Sequence, residues 1–169
     1  MNHEKLYQEL TQSAEIIRAL VTGIDQEEAN RKPSPDSWSM LEVICHLYDE
    51  EREDFREHLD SILNRQTEVW HSINPKRWVS ERKYNQQDFS AMRDKFFSER
   101  EKSLLWLKGL ANANWDTAFT SEFGTMSAGE MLASWTAHDN LHIRQLTELR
   151  RRRIEKITEP FAIAYAGEW

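Results

Sequence analysis

The chain has 169 residues, enough for one domain with a sizeable core. Hydrophobic residues make up 39% and charged residues 30%, and only 5 glycines and 4 prolines are present, which disfavours a turn-rich β protein and points to helices. The formal net charge of −7 argues against a phosphate backbone as partner, since that needs clustered cations, so no nucleic acid is expected. The single cysteine, Cys45, excludes an intrachain disulfide. With no basic-then-apolar leader and no long uncharged apolar run, the expectation is a cytoplasmic protein without a membrane partner.

Leu6, Leu10, Ile17, Leu20, Val21 and Ile24 recur at intervals of three or four, so about His3 to Ile24 reads as an amphipathic helix. The polar, proline-containing stretch DQEEANRKPSPDSW reads as a loop. In SMLE, Ser39 and Glu42 form a capping box that opens a second helix running to about Asn64, with Met40, Ile44, Leu47, Tyr48, Phe55, Leu59 and Ile62 inward. RQTEVWHSINPKRWVSERKYNQQ lacks a clean period and contains Pro75; it reads as a long loop of the kind that is often functional or ordered as short turns. A third helix is predicted over about Gln87 to Leu110, with Met92, Phe96, Phe97, Leu104 and Leu107 inward. WDTAFTSEFGTM is mixed and fits an irregular or hairpin-like crossing, and SAGE is a second capping box, Ser127 with Glu130. It opens a fourth helix that ends at the arginines 150 to 153, which suit a helix C-terminus without needing a partner. The fold class is therefore all-α, a four-helix bundle with long connections, in one domain over 1–169. The tail EPFAIAYAGEW is too apolar for a free end and is expected to pack on the bundle or on a second subunit of a homodimer.

On the fourth helix His138 and His142 stand four residues apart, about 40° around the axis, on the face that carries Met131, Trp135, Leu146 and Leu149. Gln145 follows on the same side. Two inward imidazoles need hydrogen-bond partners or a metal, because an unpaired buried polar group costs about 1–3 kcal/mol. A pair alone also fits two satisfied core histidines, so a third nitrogen from another helix is required. His3 lies near the terminus, His71 in the long loop, and His58 among charges where it reads as solvated. His46 remains, at the edge of the second helix's apolar stripe, a position that suits a groove at the bundle's mouth. Cys45 points about 100° away from His46 and reads as a small buried apolar residue.

DSWSMLEVICHLYDEE, followed much later by GTMSAGEMLASWTAHDNLHIRQL, resembles the DinB superfamily, including its YfiT-type members. The likeness lies in the Trp-Ser start of helix two, the histidine seven residues after that serine, and the H-x-x-x-H-x-x-Q of helix four. It implies a four-helix bundle whose divalent metal, zinc or nickel foremost, is held by His46, His138 and His142. It also implies an enzyme of the thiol S-transferase, isomerase or hydrolase kind acting on a small-molecule substrate.

Three protein nitrogens leave a coordination position open, the pattern of a catalytic metal. A water there is acidified and serves a hydrolase; a thiol there is held as thiolate and serves a transferase with a low-molecular-weight thiol cosubstrate. The residues do not choose, and the resemblance favours the transferase. A non-catalytic metal-binding bundle stays open beside both. Asp49 and Glu50, three and four residues after His46, are candidates for orienting it or for acid–base work, as is Gln145; the competing reading is a solvated acidic face. A Ser134–His138–Asp139 arrangement is disfavoured because Asp139 projects about 100° from His138. Trp38, Trp106 and Trp135 read as core, and Trp70 and Trp78 as a substrate mouth or as loop anchors.

Overall fold

The computed structural model describes residues 2–66, 70, 73–121 and 124–167; His71 lies outside them. Its helices are α1 (His3–Val21), α2 (Gln26–Asn30), α3 (Met40–Glu50), α4 (Arg56–Asn64), α5 (Pro75–Glu81), α6 (Phe89–Gly109) and α7 (Ala128–Ile157). A π-helical turn, Glu51–Phe55, joins α3 to α4 without a break. The long rods α1, α3–α4, α6 and α7 form the four-helix bundle. Strands β1 (Ala118–Ser121) and β2 (Gly124–Ser127) pair antiparallel with Ala118 opposite Ser127, which is the hairpin-like crossing the sequence suggests between α6 and α7.

Both capping boxes form. Ser39 N–H donates to Glu42 Oε2 at 2.8 Å while Glu42 N–H donates to Ser39 Oγ at 3.1 Å. Ser127 and Glu130 repeat the pattern at 2.7 and 3.2 Å. Each box satisfies orphan first-turn amides and fixes where a histidine-bearing helix begins.

Buried apolar side chains gather in two clusters. One holds Ile17, Leu41, Ile44, Leu47, Phe96 and Leu146; the other holds Leu10, Leu59, Ile62, Leu132 and Trp135. Between them Arg100 of α6 is 2% exposed. Its Nε and Nη2 donate to the Glu51 carboxylate at 2.7 Å each, and its Nη1 and Nη2 to Asp139 at 2.6 and 2.9 Å. Trp135 Nε1 adds a bond to Glu51 at 3.3 Å. A buried cation held by two buried carboxylates keeps its charge: the burial that opposes it is outweighed by Glu51 and Asp139, which raise the guanidinium pKa.

The stretch expected to be a loop after Ile24 contains a helix, α2, because Asp25 caps it at Glu28 N–H. Four further expectations are corrected. The stretch after Asn64 is not one structureless loop, because Asn74 caps α5, Pro75 stands in its first turn, and Tyr84–Gln86 forms a 3-10 turn. There Trp78 is buried under Arg82, and Trp70 stacks on Phe119 at 4.9 Å, so both anchor the segment. His58 is buried, not solvated, because Asp54 one turn earlier meets its Nδ1 at 2.6 Å and Trp70 covers its ring at 4.4 Å. The tail does not pack on its own bundle: Phe161 is 79% exposed and Tyr165 fully so. The reason is length, since α7, at 30 residues, is about 45 Å long against about 30 Å for α1 and α6 and carries the chain past the bundle's end. Finally, the second rod is not a regular α-helix throughout, because the π turn inserts where Glu51 and Phe55 turn inward.

Arg100→Met is expected to lower unfolding free energy by about 3–5 kcal/mol, because two buried carboxylates lose their cation. Urea denaturation of the two proteins at neutral pH measures it; an unchanged midpoint would mean that the network carries no such burden.

Candidate metal centre

His46 comes from the second turn of α3, and His138 and His142 from the middle of α7. Their Nε2 atoms converge. His138 Nε2 lies 3.1 Å from His46 Nε2 and 3.2 Å from His142 Nε2, and one nitrogen of each ring falls within 4.8 Å of the others. His46 and His142 are buried and His138 half-buried, so the expected edge position of His46 becomes an interior one in the folded chain. Trp38 meets His46 edge-on at 4.9 Å and stacks over His142 at 6.3 Å, while Phe55 meets His138 at 5.0 Å from the other side. The histidines thus occupy the seam between the two apolar clusters.

Burial determines their protonation. It pushes His46 down to about 2, helped by His142 and His138, and pushes His138 down to about 3, with the neighbouring His142 next in effect. His142 is lowered by the same burial, partly opposed by its bond to Gln145. All three rings are therefore neutral at physiological pH, each with one nitrogen lone pair.

The outer ring nitrogens indicate which way the lone pairs point. Gln145 Oε1 lies 2.8 Å from His142 Nδ1 and can accept its proton. His46 Nδ1 faces Glu50 Oε1 at 3.8 Å, and neither buried atom has a hydrogen-bond partner. That gap is too long for a bond. With the Nδ1 protons directed outward, the Nε2 lone pairs face one another, a donor set that can hold a divalent metal ion.

Of the other candidates, Asp49 is engaged elsewhere: its Oδ2 accepts from Tyr84 Oη at 2.6 Å and pairs with Arg82 at 2.7 Å. Glu50 continues into a ladder of side chains four residues apart, His46–Glu50–Asp54–His58. Its carboxyl is raised to about 9, first by burial and then by the hydrogen bond and charge of Asp54. The i, i+4 spacing of this ladder is readable in the sequence, whereas the apposition of Trp38 to the histidines is not. Cys45 is fully buried, its thiol 3.8 Å from the Tyr84 carbonyl and pushed up to about 12 by burial and nearby carboxylates, so it stays protonated. Asp139 belongs to Arg100, and Ser134 is exposed, so Ser134, His138 and Asp139 do not assemble into a triad.

A four-helix bundle with three converging imidazoles on two of its rods defines the class of this protein. A model of the DinB superfamily matches residues 9–146, and the chain belongs to that superfamily. None of the curated proteins matches the sequence. Among solved structures the fold is similar to YfiT from Bacillus subtilis, described as a probable metal-dependent hydrolase with an unusual four-helix bundle topology. The TM-score is 0.77 at 18% identity, covering 89% of this chain and 87% of that one.

His142→Ala is expected to abolish stoichiometric metal uptake and to remove about 4 kcal/mol of metal-linked stability at a metal concentration a thousandfold above Kd. Elemental analysis and thermal unfolding with and without chelator measure both, and undiminished metal content would refute the ligand set. Acid should act in the same direction. Because the folded-state pKa values lie below the ordinary 6.5, the unfolded chain takes up protons first as pH falls. The stability tied to neutral histidines is thus complete above about pH 6.5 and is lost progressively toward the folded values of about 2 and 3. Because protons compete for the folded site only near those lowered values, bound metal should be held at about pH 5 as at about pH 8. Loss of metal at about pH 5 from folded protein, with chelator affinity corrected for pH, would contradict this.

Proposed function

We propose that the chain is a metal-dependent enzyme of the thiol S-transferase type, with His46, His138 and His142 as ligands and a small electrophilic molecule as substrate. The observation that carries the reading is the ligand set itself: three neutral nitrogens on two helices, with a groove beginning at His142. A divalent metal bound there supplies Lewis acidity, which keeps a thiol or a water deprotonated near neutral pH.

The chain's own groups do the rest. Gln145 holds the His142 ring by its Nδ1 proton, and Glu50 stands where it can do the same for His46. Trp38 and Phe55 close two sides of the cluster against solvent, which strengthens electrostatic interactions within it. Neutral ligands add no negative charge, so an anionic nucleophile is favoured over a neutral one. The second reading, a hydrolase using water, draws support from the description of YfiT.

Metal-loaded protein is expected to consume an aryl halide such as chlorodinitrobenzene only when a low-molecular-weight thiol is present. Hydrolysis of nitrophenyl acetate without thiol would instead select the hydrolase, and neither reaction over a broad panel would favour a metal-binding bundle without catalysis. In the same preparations Glu50→Gln and Gln145→Ala should each weaken metal affinity about tenfold to a hundredfold, as loss of a ligand's outer partner does elsewhere. Competition with a chromogenic chelator measures this, and unchanged affinity in both variants would remove them from the site.

A further inference from the structure

Three hollows follow one another along α7, and each shares wall residues with the next. The first, about 710 Å³, opens on His142 and is bounded by Gln145 and Glu148. The second, about 450 Å³, shares Gln145 and Glu148 and adds Trp38 and Pro33. The third, about 50 Å³, shares Pro33, Leu149 and Arg152 with the second and is closed by Arg31, Arg153 and Lys156. The first is an open hollow walled by α7 alone, the second adds the loop before α3, and the last is narrower and reaches Arg31 at the end of α2.

The far end is cationic in an acidic protein. Arg31, Arg152, Arg153 and Lys156 line it against Glu28 alone. Arg31 pairs with Glu28 and with Glu27 at 3.4 Å each, and Arg152 pairs with Glu148 at 2.9 Å. The side chains of Arg153 and Lys156 make no hydrogen bond or ion pair among the described residues. The helix dipole explains basic residues in the last turn of α7. It does not explain why Arg31, from the end of α2, meets them across a narrow space that continues to His142. Ten or eleven residues of helix separate His142 from Arg152 and Arg153, roughly 15–17 Å.

We infer that this end of the groove is a subsite for the anionic terminus, carboxylate or phosphate, of an elongated small molecule whose other end reaches the three histidines. The inference rests on the metal-enzyme reading for the identity of the reactive end, and on the groove and its cations for the anionic end. No bond is made or broken at the subsite; it sets which molecules bind and how they are oriented.

The test uses cobalt(II)-loaded full-length protein, in which thiolate binding to the metal is read by its charge-transfer absorption. Mercaptoundecanoate, long enough to span the groove, is expected to bind at least tenfold more tightly than mercaptoundecanol, which lacks the anion. Arg153→Ala combined with Lys156→Ala should erase that advantage while leaving cobalt content and mercaptopropionate binding unchanged. Equal affinity for the long acid and the long alcohol, or an advantage that survives in the double variant, would overturn the inference. Should cobalt not bind at all, the metal-enzyme reading fails and the subsite is judged by calorimetric titration with pyrophosphate. Binding at least tenfold weaker in the double variant sustains it, and no binding or no difference overturns it. Pyrophosphate binding without any preference for the long acid would mark a site for free anions and equally overturn it.

Discussion

The guanidinium of Arg100 is the constraint on which the arrangement depends. It cannot be buried without both of its carboxylates, and those carboxylates belong to the two helices that carry the histidines. Glu51 begins the π turn five residues after His46, and Asp139 follows His138 directly. A slide of α7 against α3 by one turn, about 5.4 Å, would break the bidentate bonds and would also separate the imidazoles. One buried ion cluster therefore fixes the register of the rods and the convergence of the Nε2 atoms. Directional charge-assisted bonds can do this where apolar contacts alone tolerate sliding.

Around that anchor the polar interior is organised by spacing. His46, Glu50, Asp54 and His58 follow one another up a single rod, and the π turn lies within this run without breaking it. Glu51, next to Glu50, points instead at Arg100, so adjacent acids serve two different networks. Asp49 serves a third, with Tyr84 and Arg82 from the segment that precedes α6. An acidic stretch that resembles a solvated face is thus divided among three interior partners. Asp49, Glu51 and Asp54 are each kept by a specific hydroxyl, cation or imidazole, whereas buried Glu50 lacks such a partner, lies beside Asp54 and holds its proton.

The site is sealed on one side and open on the other. Trp38 and Phe55 bring one apolar cluster each against the imidazoles, and the groove along α7 leads from His142 to the arginines of its last turns. The helix that carries two of the three histidines also supplies the floor of the groove. Its excess length has two results: it carries the cations beyond the compact bundle, and it leaves Phe161 and Tyr165 in solvent.

The residues alone determined the helical class, both capping boxes and the turn of Asp139 away from His138, and they offered a hairpin as one of two forms of the crossing between α6 and α7. Each follows from local rules: a 3.6-residue period, a serine three residues before a glutamate, or an angle of 100° per residue. They also named the three histidines, two by their spacing and the third by resemblance to a family. Only the tertiary structure decided that His46 sits inside rather than at an edge, since burial depends on what covers a helix face, here Trp38 from the preceding loop and α7 from ninety residues away. The same holds for Arg100, which stands among charged neighbours in the sequence yet is buried, and for His58, which is dry only because Trp70 and Asp54 reach it. A helical wheel records where a side chain points on its own helix, and it has no term for the charge that another helix places opposite.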